Sequence, residues 1–432
     1  MATRPFHHAK LLFALVFSAQ AVYGLAFRLP AFFKPSLVQV LEISNKDFGL
    51  AQSVFGIVAL LAYFPGGALA DRFSARRLMF FSLLATAAGG AYLATFPQLI
   101  GLAALWGFWG ITSILLFWAA LIRTTRAWGG SQRPGQAFGL LEGGRGLIAA
   151  GIGSLAAWLF AQLVPEHPEH ISQADRVFAL RWVIGVYTLN TLAGAFVTWA
   201  WIPDGQHDTV GTDRNRMDFS LMRTVMRLPA VWLQALIVIA AYTAGRGMDN
   251  YSLFAKDAYL VNEVAASQIS TLTFWVRPFA AVGAGLLADR IRPSRLVFWS
   301  FGLLLAGQMA LAIKTPDPHH IGPLLAMLGF TSACIFALRG TYYALFEEGQ
   351  IPLAATGTAT GLISVIGYTP DIFVPPLTGW LIDEHPGAEG HQHAFYFLSG
   401  FALVGWIASA CFRRICRGNA VHSDDPSAND WT

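Results

Sequence analysis

Apolar residues fill the 432-residue chain in runs of about 20, broken by short polar segments. They do not alternate, so the period does not suit strands with one wet face. A hydrocarbon core about 30 Å thick needs about 20 residues of helix to cross it. Lipid offers no partner for a bare backbone N–H, so each run must close its own hydrogen bonds. The pattern predicts twelve spans, at about residues 11–33, 47–70, 77–96, 98–122, 136–163, 180–202, 230–254, 266–288, 295–313, 322–345, 357–382 and 394–412. The expected class is an all-α membrane protein. The first run imitates a signal peptide, but eleven further runs argue against cleavage.

Composition agrees with this pattern. Charged residues make up 12% of the chain, against roughly 25% in soluble domains. With the N-terminus in the cytoplasm, eighteen Lys and Arg fall on the inner side, among them Arg4, Lys10, Arg123, Arg133, Arg227 and Arg413. Six fall outside: Lys34, Lys46, Arg176, Arg181, Lys256 and Lys314. The positive-inside rule then places both termini in the cytoplasm of a cell inner membrane. The net charge of +4 is therefore topological and does not mark a nucleic-acid surface. Cys334, Cys411 and Cys416 suggest neither a disulfide nor a metal site. His167, His170, His319, His320, His385, His391 and His393 read as solvated loop histidines. No Walker loop is present, so no nucleotide cofactor or ATP drive is expected.

The chain repeats itself. "PGGALADRFSARRL" at 65–78 returns as "GAGLLADRIRPSRL" at 283–296. Gly67, Asp71, Arg72 and Arg77 map onto Gly285, Asp289, Arg290 and Arg295, each 218 positions on. The same offset carries Gly139 and Gly143 to Gly357 and Gly361, and Arg28 to Arg246. Repeats of this size mark secondary transporters, whose halves enclose one site near the midplane. The expected division is a six-helix bundle at 1–202, a polar cytoplasmic linker at 203–228, and a second six-helix bundle with a short tail at 229–432.

G-x-x-x-D-R-x-x-x-R-R after the second span, with Arg76 included, is similar to the loop motif of the major facilitator superfamily. The second copy has Ser294 where another basic residue would stand. The resemblance implies a twelve-helix, two-bundle fold that acts as a monomer. It also implies that these motif residues are conformational machinery and take no part in substrate binding. Glycine there would let two helices approach closely.

Five arginines lie within spans: Arg28, Arg145, Arg246, Arg277 and Arg339, with the acids Glu142, Asp249 and Asp371. A charge at a helix centre costs about 2.5–3.5 kcal/mol on insertion scales, so such residues default to function. Arg28 and Arg246 occupy equivalent places. First and seventh helices face the central cavity in this superfamily, and two guanidiniums there would fork an oxyanion. The bland alternative pairs Arg246 with Asp249, three residues on. The arrangement resembles the organophosphate:phosphate antiporter and anion:cation symporter families. The fifth span departs from the first of these, with Glu142 and Arg145 in place of a histidine. Those two form either a self-neutralising pair or a proton handle. Asp371, between Pro370 and Pro375, sits where a helix is expected to break, and it serves either substrate or proton coupling or a pair with a span arginine. Gln20, Tyr23, Tyr242 and Asn250 could bond the neutral part of a substrate. Arg277 and Arg339 read as structural or gating, with Tyr342 and Tyr343 following Arg339.

The expected function is secondary active transport of a small organic anion, phosphorylated, sulfonated or carboxylated. Exchange against another anion and coupling to protons both remain open. A proton-driven exporter of drugs or an acidic siderophore is the rival reading. An enzyme would need a convergent nucleophile and base inside the spans, and none is visible.

Overall fold

The computed structural model describes residues 4–129, 134–164, 171–204, 223, 225–351 and 356–423. Most of the expected linker thus lies outside the described residues, as do the side chains of Asp71 and Asp289. Among the described residues all regular structure is helical.

Twelve passes follow one another. α1 comes in three pieces: Arg4–Ala21, a π-helical turn at Gly24–Arg28, and Leu29–Leu41. α2 is Asn45–Arg72, α3 is Ala75–Leu93, and α4 joins Leu99–Gly110, a π-helical stretch at Ile111–Trp118, and Ala119–Gly129. α5 is Pro134–Leu163 and α6 is Gln173–Trp201. α7 runs through Pro229–Gly247, a 3-10 turn at Met248–Asn250, and Tyr251–Tyr259. α8 is Glu263–Arg290, α9 is Pro293–Ile313, and α10 joins Ile321–Thr341, Tyr342–Ala344 and Leu345–Glu348. α11 is split into Thr356–Gly367 and Pro370–Glu384, and α12 is Ala388–Ser423. Eight of these helices are long and apolar enough to cross a membrane, or nine if the bent α1 counts as one span. α2, α3 and the split α11 take their places through packing.

The repeat extends to helix starts. Ser44 caps α2 by accepting from Asp47 N, and Asn262, 218 positions on, caps α8 by accepting from Ala265 N. Each supplies an acceptor to a first-turn N–H that the helix leaves orphaned.

Two prolines tie distant helices together. Proline has no N–H, so the carbonyl four residues earlier loses its helical partner. Pro35 frees Ala31 O, and Ser252 Oγ of α7 and Ser270 Oγ of α8 donate to it at 2.9 and 3.2 Å. Pro376 frees Ile372 O, and Ser53 Oγ of α2 donates to it at 2.6 Å. An unpaired carbonyl costs several kcal/mol in lipid, so each proline recruits a donor from the other half of the sequence.

We call the end of the bundle that carries the loop motif the motif end, and the opposite end the far end. The described contacts between the two halves gather in the middle and at the far end. α2 lies against α11 so closely that a Cβ on Gly56 would stand 2.8 Å from the Asp371 carbonyl carbon. Asp383 accepts from the backbone N–H groups of Asn45 and Lys46, at 3.2 and 2.7 Å. Glu263 accepts from Arg176, Lys256 and Ser36.

Three expectations need correction. Lys34, assigned to an outside segment, is buried within α1. His391, assigned to a loop, is buried in α12, with Nε2 3.0 Å from Asp257 Oδ2. In both cases the helix runs further than the apolar run that announced it. The motif glycines Gly67 and Gly285 make no close helix contact among the described residues, since a Cβ on either would meet nothing described within 4 Å. The close approach near the first of them falls on Gly66, against the Leu115 carbonyl at 3.2 Å.

Candidate functional site

Two of the arginines within the spans sit at irregular turns. Arg28 ends the π-helical turn of α1. Pro30 cannot donate to Ala26 O, and Trp106 Nε1 from α4 donates to it at 3.3 Å. Arg246 stands in the last turn before α7 changes to 3-10 geometry. Asp371 opens the second piece of α11, directly after the break. Local departures of this kind are common at functional sites.

Two ionic triads of opposite composition result. In one, Glu142 lies between two arginines, 2.5 Å from Arg145 and 2.6 Å from Arg277. The first contact is within α5; the second crosses to α8. In the other, Arg246 lies between two acids. It pairs with Asp249, and its Nε is 3.0 Å from Asp371 Oδ1. Tyr242 OH donates to both oxygens of Asp371, at 3.1 and 3.0 Å.

Arg28 and Arg339 have no acid partner among the described residues. Arg28 lies over Phe274 at 4.7 Å, and Arg339 over Tyr242 at 5.3 Å. Stacking of this kind fixes a guanidinium while leaving its N–H edge free. Arg246 and Arg145 are similarly backed by Phe27 and Tyr23.

Lys34 is a buried cation that the pattern of spans concealed. Its Nζ donates to Asn250 Oδ1 at 2.5 Å, and Asn250 Nδ2 donates to Thr378 Oγ1. Lys34, Arg246, Asp249, Asn250 and Gln52 share a cavity of about 10 Å³ on the far-end side of the arginines. Only the burial of Lys34 reveals this. Tyr63, Tyr343 and Tyr368 cluster beside Tyr242, with Tyr63 stacked on Tyr368 at 6.2 Å, Tyr368 against Tyr242 at 4.8 Å and Tyr343 OH 3.2 Å from Tyr368 OH. Gln20 is buried, but no described contact joins it to the arginines. Tyr342 is buried against Tyr343.

The motif residues lie apart from this cluster. Arg76 stacks over Trp199 at 4.2 Å, and Arg77 and Ser74 reach Asp204, tying the start of α3 to the end of α6. Arg72, Arg290 and Arg295 are exposed. In the second copy, Glu348 accepts from Ser294 N at 2.9 Å. Among the described residues no group of three or more His, Cys, Asp or Glu could hold a metal ion.

Known proteins carry the same organisation. The Major Facilitator Superfamily profile matches residues 16–369. The chain is 26% identical over 400 residues to the inner membrane protein YqcE of Escherichia coli K12, covering 90% of this chain and 91% of that one. It is 26% identical over 399 residues to the inner membrane protein YihN of the same organism, covering 89% and 91%. Among solved structures, a bacterial homolog of the human lysosomal transporter Spinster, inward-facing and occupied, superposes with a TM-score of 0.73 at 13% identity, covering 96% of this chain and 97% of that one. That likeness shows the fold. The chain belongs to the Major Facilitator Superfamily and is a secondary transporter, not an enzyme.

Proposed function

We propose that this transporter carries a small organic anion, phosphorylated, sulfonated or carboxylated, by alternating access. One observation carries the reading: the buried charges of the central helices do not pair off. Glu142, Asp249 and Asp371 form ion pairs with Arg145, Arg246 and Arg277, while Arg28, Lys34 and Arg339 form no ion pair among the described residues. An uncompensated charge away from bulk water costs several kcal/mol, and an anionic substrate removes that cost. A cationic drug would add to it.

The roles follow from the geometry. Arg28 holds the anionic head. Arg246 becomes available only when one of its two carboxylates lets go, and Asp371, which Tyr242 orients, is the one on a different helix. Asp371 is therefore the group through which a proton or a counter-anion couples to transport. Glu142 holds Arg145 and Arg277 and connects α5 to α8. Residues 1–202 rock against 229–432 about the linker, with the loop motifs as conformational machinery. Both termini face the cytoplasm, so the far end faces outward and the described conformation is sealed on that side.

Thermal stabilisation of the purified protein by a panel of phosphate esters, sulfonates and carboxylates tests the reading, with Arg28→Gln alongside. A ligand that binds only the native state raises the melting temperature with concentration. Stabilisation of the wild type by one anion class, lost in Arg28→Gln, is the expected result. Stabilisation by cationic or neutral amphiphiles alone overturns it.

A further inference from the structure

Gln52 of α2 departs from the ordinary rule for buried amides. It is 6% exposed, it lines the far-end cavity, and its amide makes no hydrogen bond among the described residues. Buried polar side chains are nearly always bonded, so an amide left over marks a place where a further group bonds. Lys34 of α1 faces the same cavity. It is 4% exposed, and of its three N–H donors one is spent, on Asn250 Oδ1 at 2.5 Å. Among the described residues no carboxylate oxygen lies within 4.0 Å of its Nζ.

The rest of the wall is committed elsewhere. Asn250 turns its oxygen to Lys34 and donates through Nδ2 to Thr378 Oγ1 at 3.2 Å, and that hydroxyl donates to Val374 O at 2.8 Å. Asp249, the acid of the wall, pairs with Arg246. Phe48 closes a further side, its ring 6.0 Å from Lys34 Nζ. What is left is the ammonium of Lys34 and the amide of Gln52, on neighbouring helices of the first half.

We infer that this cavity is a site for a small monovalent inorganic anion, a halide first of all, held by Lys34 and Gln52. Arg28 plays no part in it, so the inference goes beyond the organic-anion reading and can fall without it. The volume of about 10 Å³ has room for one small group and none for an organic substrate. An anion there receives N–H bonds from Lys34 and Gln52 and supplies the charge that Lys34 lacks nearby. A metal cation would meet the ammonium and find its natural ligands, Asp249 and the Asn250 oxygen, already taken. A water molecule would bond both donors but leave the charge uncompensated. The site also depends on conformation. α1 and α2 belong to the first half and α7 and α11 to the second, so the wall is complete only while these four pack together at the far end. Halide binding therefore favours the sealed state.

Chloride and bromide test this in the purified protein. Melting temperature would be followed against each, with sulfate keeping ionic strength constant, in wild type, Lys34→Met and Gln52→Leu. Sulfate, with four oxygens, is too large for the cavity. All three proteins keep Arg28, so anion binding there moves them together, and general salt effects cancel in the comparison. Relative to Lys34→Met, the wild type should rise saturably with either halide. In Gln52→Leu the half-saturating concentration should increase by about 10-fold or more, as loss of a hydrogen bond to a charged group implies. Bromide diffraction from wild-type crystals needs no variant, and an anomalous peak is expected beside Lys34 Nζ. An equal rise in wild type and Lys34→Met overturns the inference, and so does density at Lys34 without anomalous signal, which would be water. A bromide peak without a saturable rise means binding at crystal concentration only and overturns it too. In every one of these outcomes the organic panel with Arg28→Gln still decides the organic-anion reading by itself.

Discussion

At the residue scale, the cavity is a set of charges held in place by opposite charges and rings. Glu142 shows what depends on that. Among the described residues it is the one acid paired with both Arg145 and Arg277, and its side chain is 35% exposed. Glu142→Gln would leave two arginines without a counter-ion. Breaking a fully buried pair costs about 3–5 kcal/mol, and partial exposure reduces this to about 2 kcal/mol. The variant should melt lower in dilute chloride and recover more than the wild type when a binding anion is added. Equal recovery in both would mean that the triad does not share the anion's field. Asp204, at the motif end, makes a pH prediction. The hydrogen bond from Ser74, with Arg77 and Arg76 nearby, holds its carboxyl below the ordinary value of 3.8. A depressed folded pKa adds stability that is complete above the unfolded value and is lost as pH falls through the folded one. Melting temperature should therefore fall with acid below about pH 4, and Asp204→Asn should flatten that slope; an unchanged slope would show that the contact to α6 adds nothing.

At the scale of elements, prolines decide which helices must stay together. Ser53 of α2 satisfies the carbonyl that Pro376 frees in α11. Interhelical hydrogen bonds in membranes average about 0.6 kcal/mol and reach about 1.7. Ser53→Ala should cost about 1 kcal/mol in the native sequence and close to zero in a Pro376→Ala background, where the N–H of residue 376 can serve Ile372 O. A double-mutant cycle by unfolding in mixed micelles measures the difference, and additive costs would sink the account. The break in α11 ahead of Asp371 was legible, because Pro370, Pro375 and Pro376 stand in one short stretch. The serines were not. A serine in an apolar run says nothing until the chain is folded and a freed carbonyl lies opposite it.

At the scale of the whole molecule, the charge of the loops and the direction of opening belong together. With both termini in the cytoplasm, a phosphatase reporter fused to the C-terminus stays inactive and a cytoplasm-dependent fluorescent reporter stays bright. The reverse result would turn the molecule over and make the far end the cytoplasmic one. Contacts from Asp383 to the start of α2 and from Glu263 to Arg176 hold that end shut. At the other end, the space beside Gly67 and Gly285 is open. The motif glycines are thus free for a contact that the described conformation does not make.

The sequence by itself determined the helical class, the twelve passes and the 218-residue repeat, because apolar length and motif spacing are local properties of a chain. It also determined which charges lie among apolar residues, since cost in lipid depends on position along the helix. Only the tertiary structure decided how those charges combine. The offset made Arg28 and Arg246 look alike, yet Arg246 is taken by Asp249 from its own helix and Asp371 from another. Arg339, which reads as a structural or gate residue in the sequence, lies over Tyr242 and makes no ion pair among the described residues. Lys34 passes from the outside to the interior because α1 continues beyond its apolar run. Symmetry in a sequence repeats backbone positions, but a counter-ion is chosen by distance in space, and distance exists only once the helices are packed.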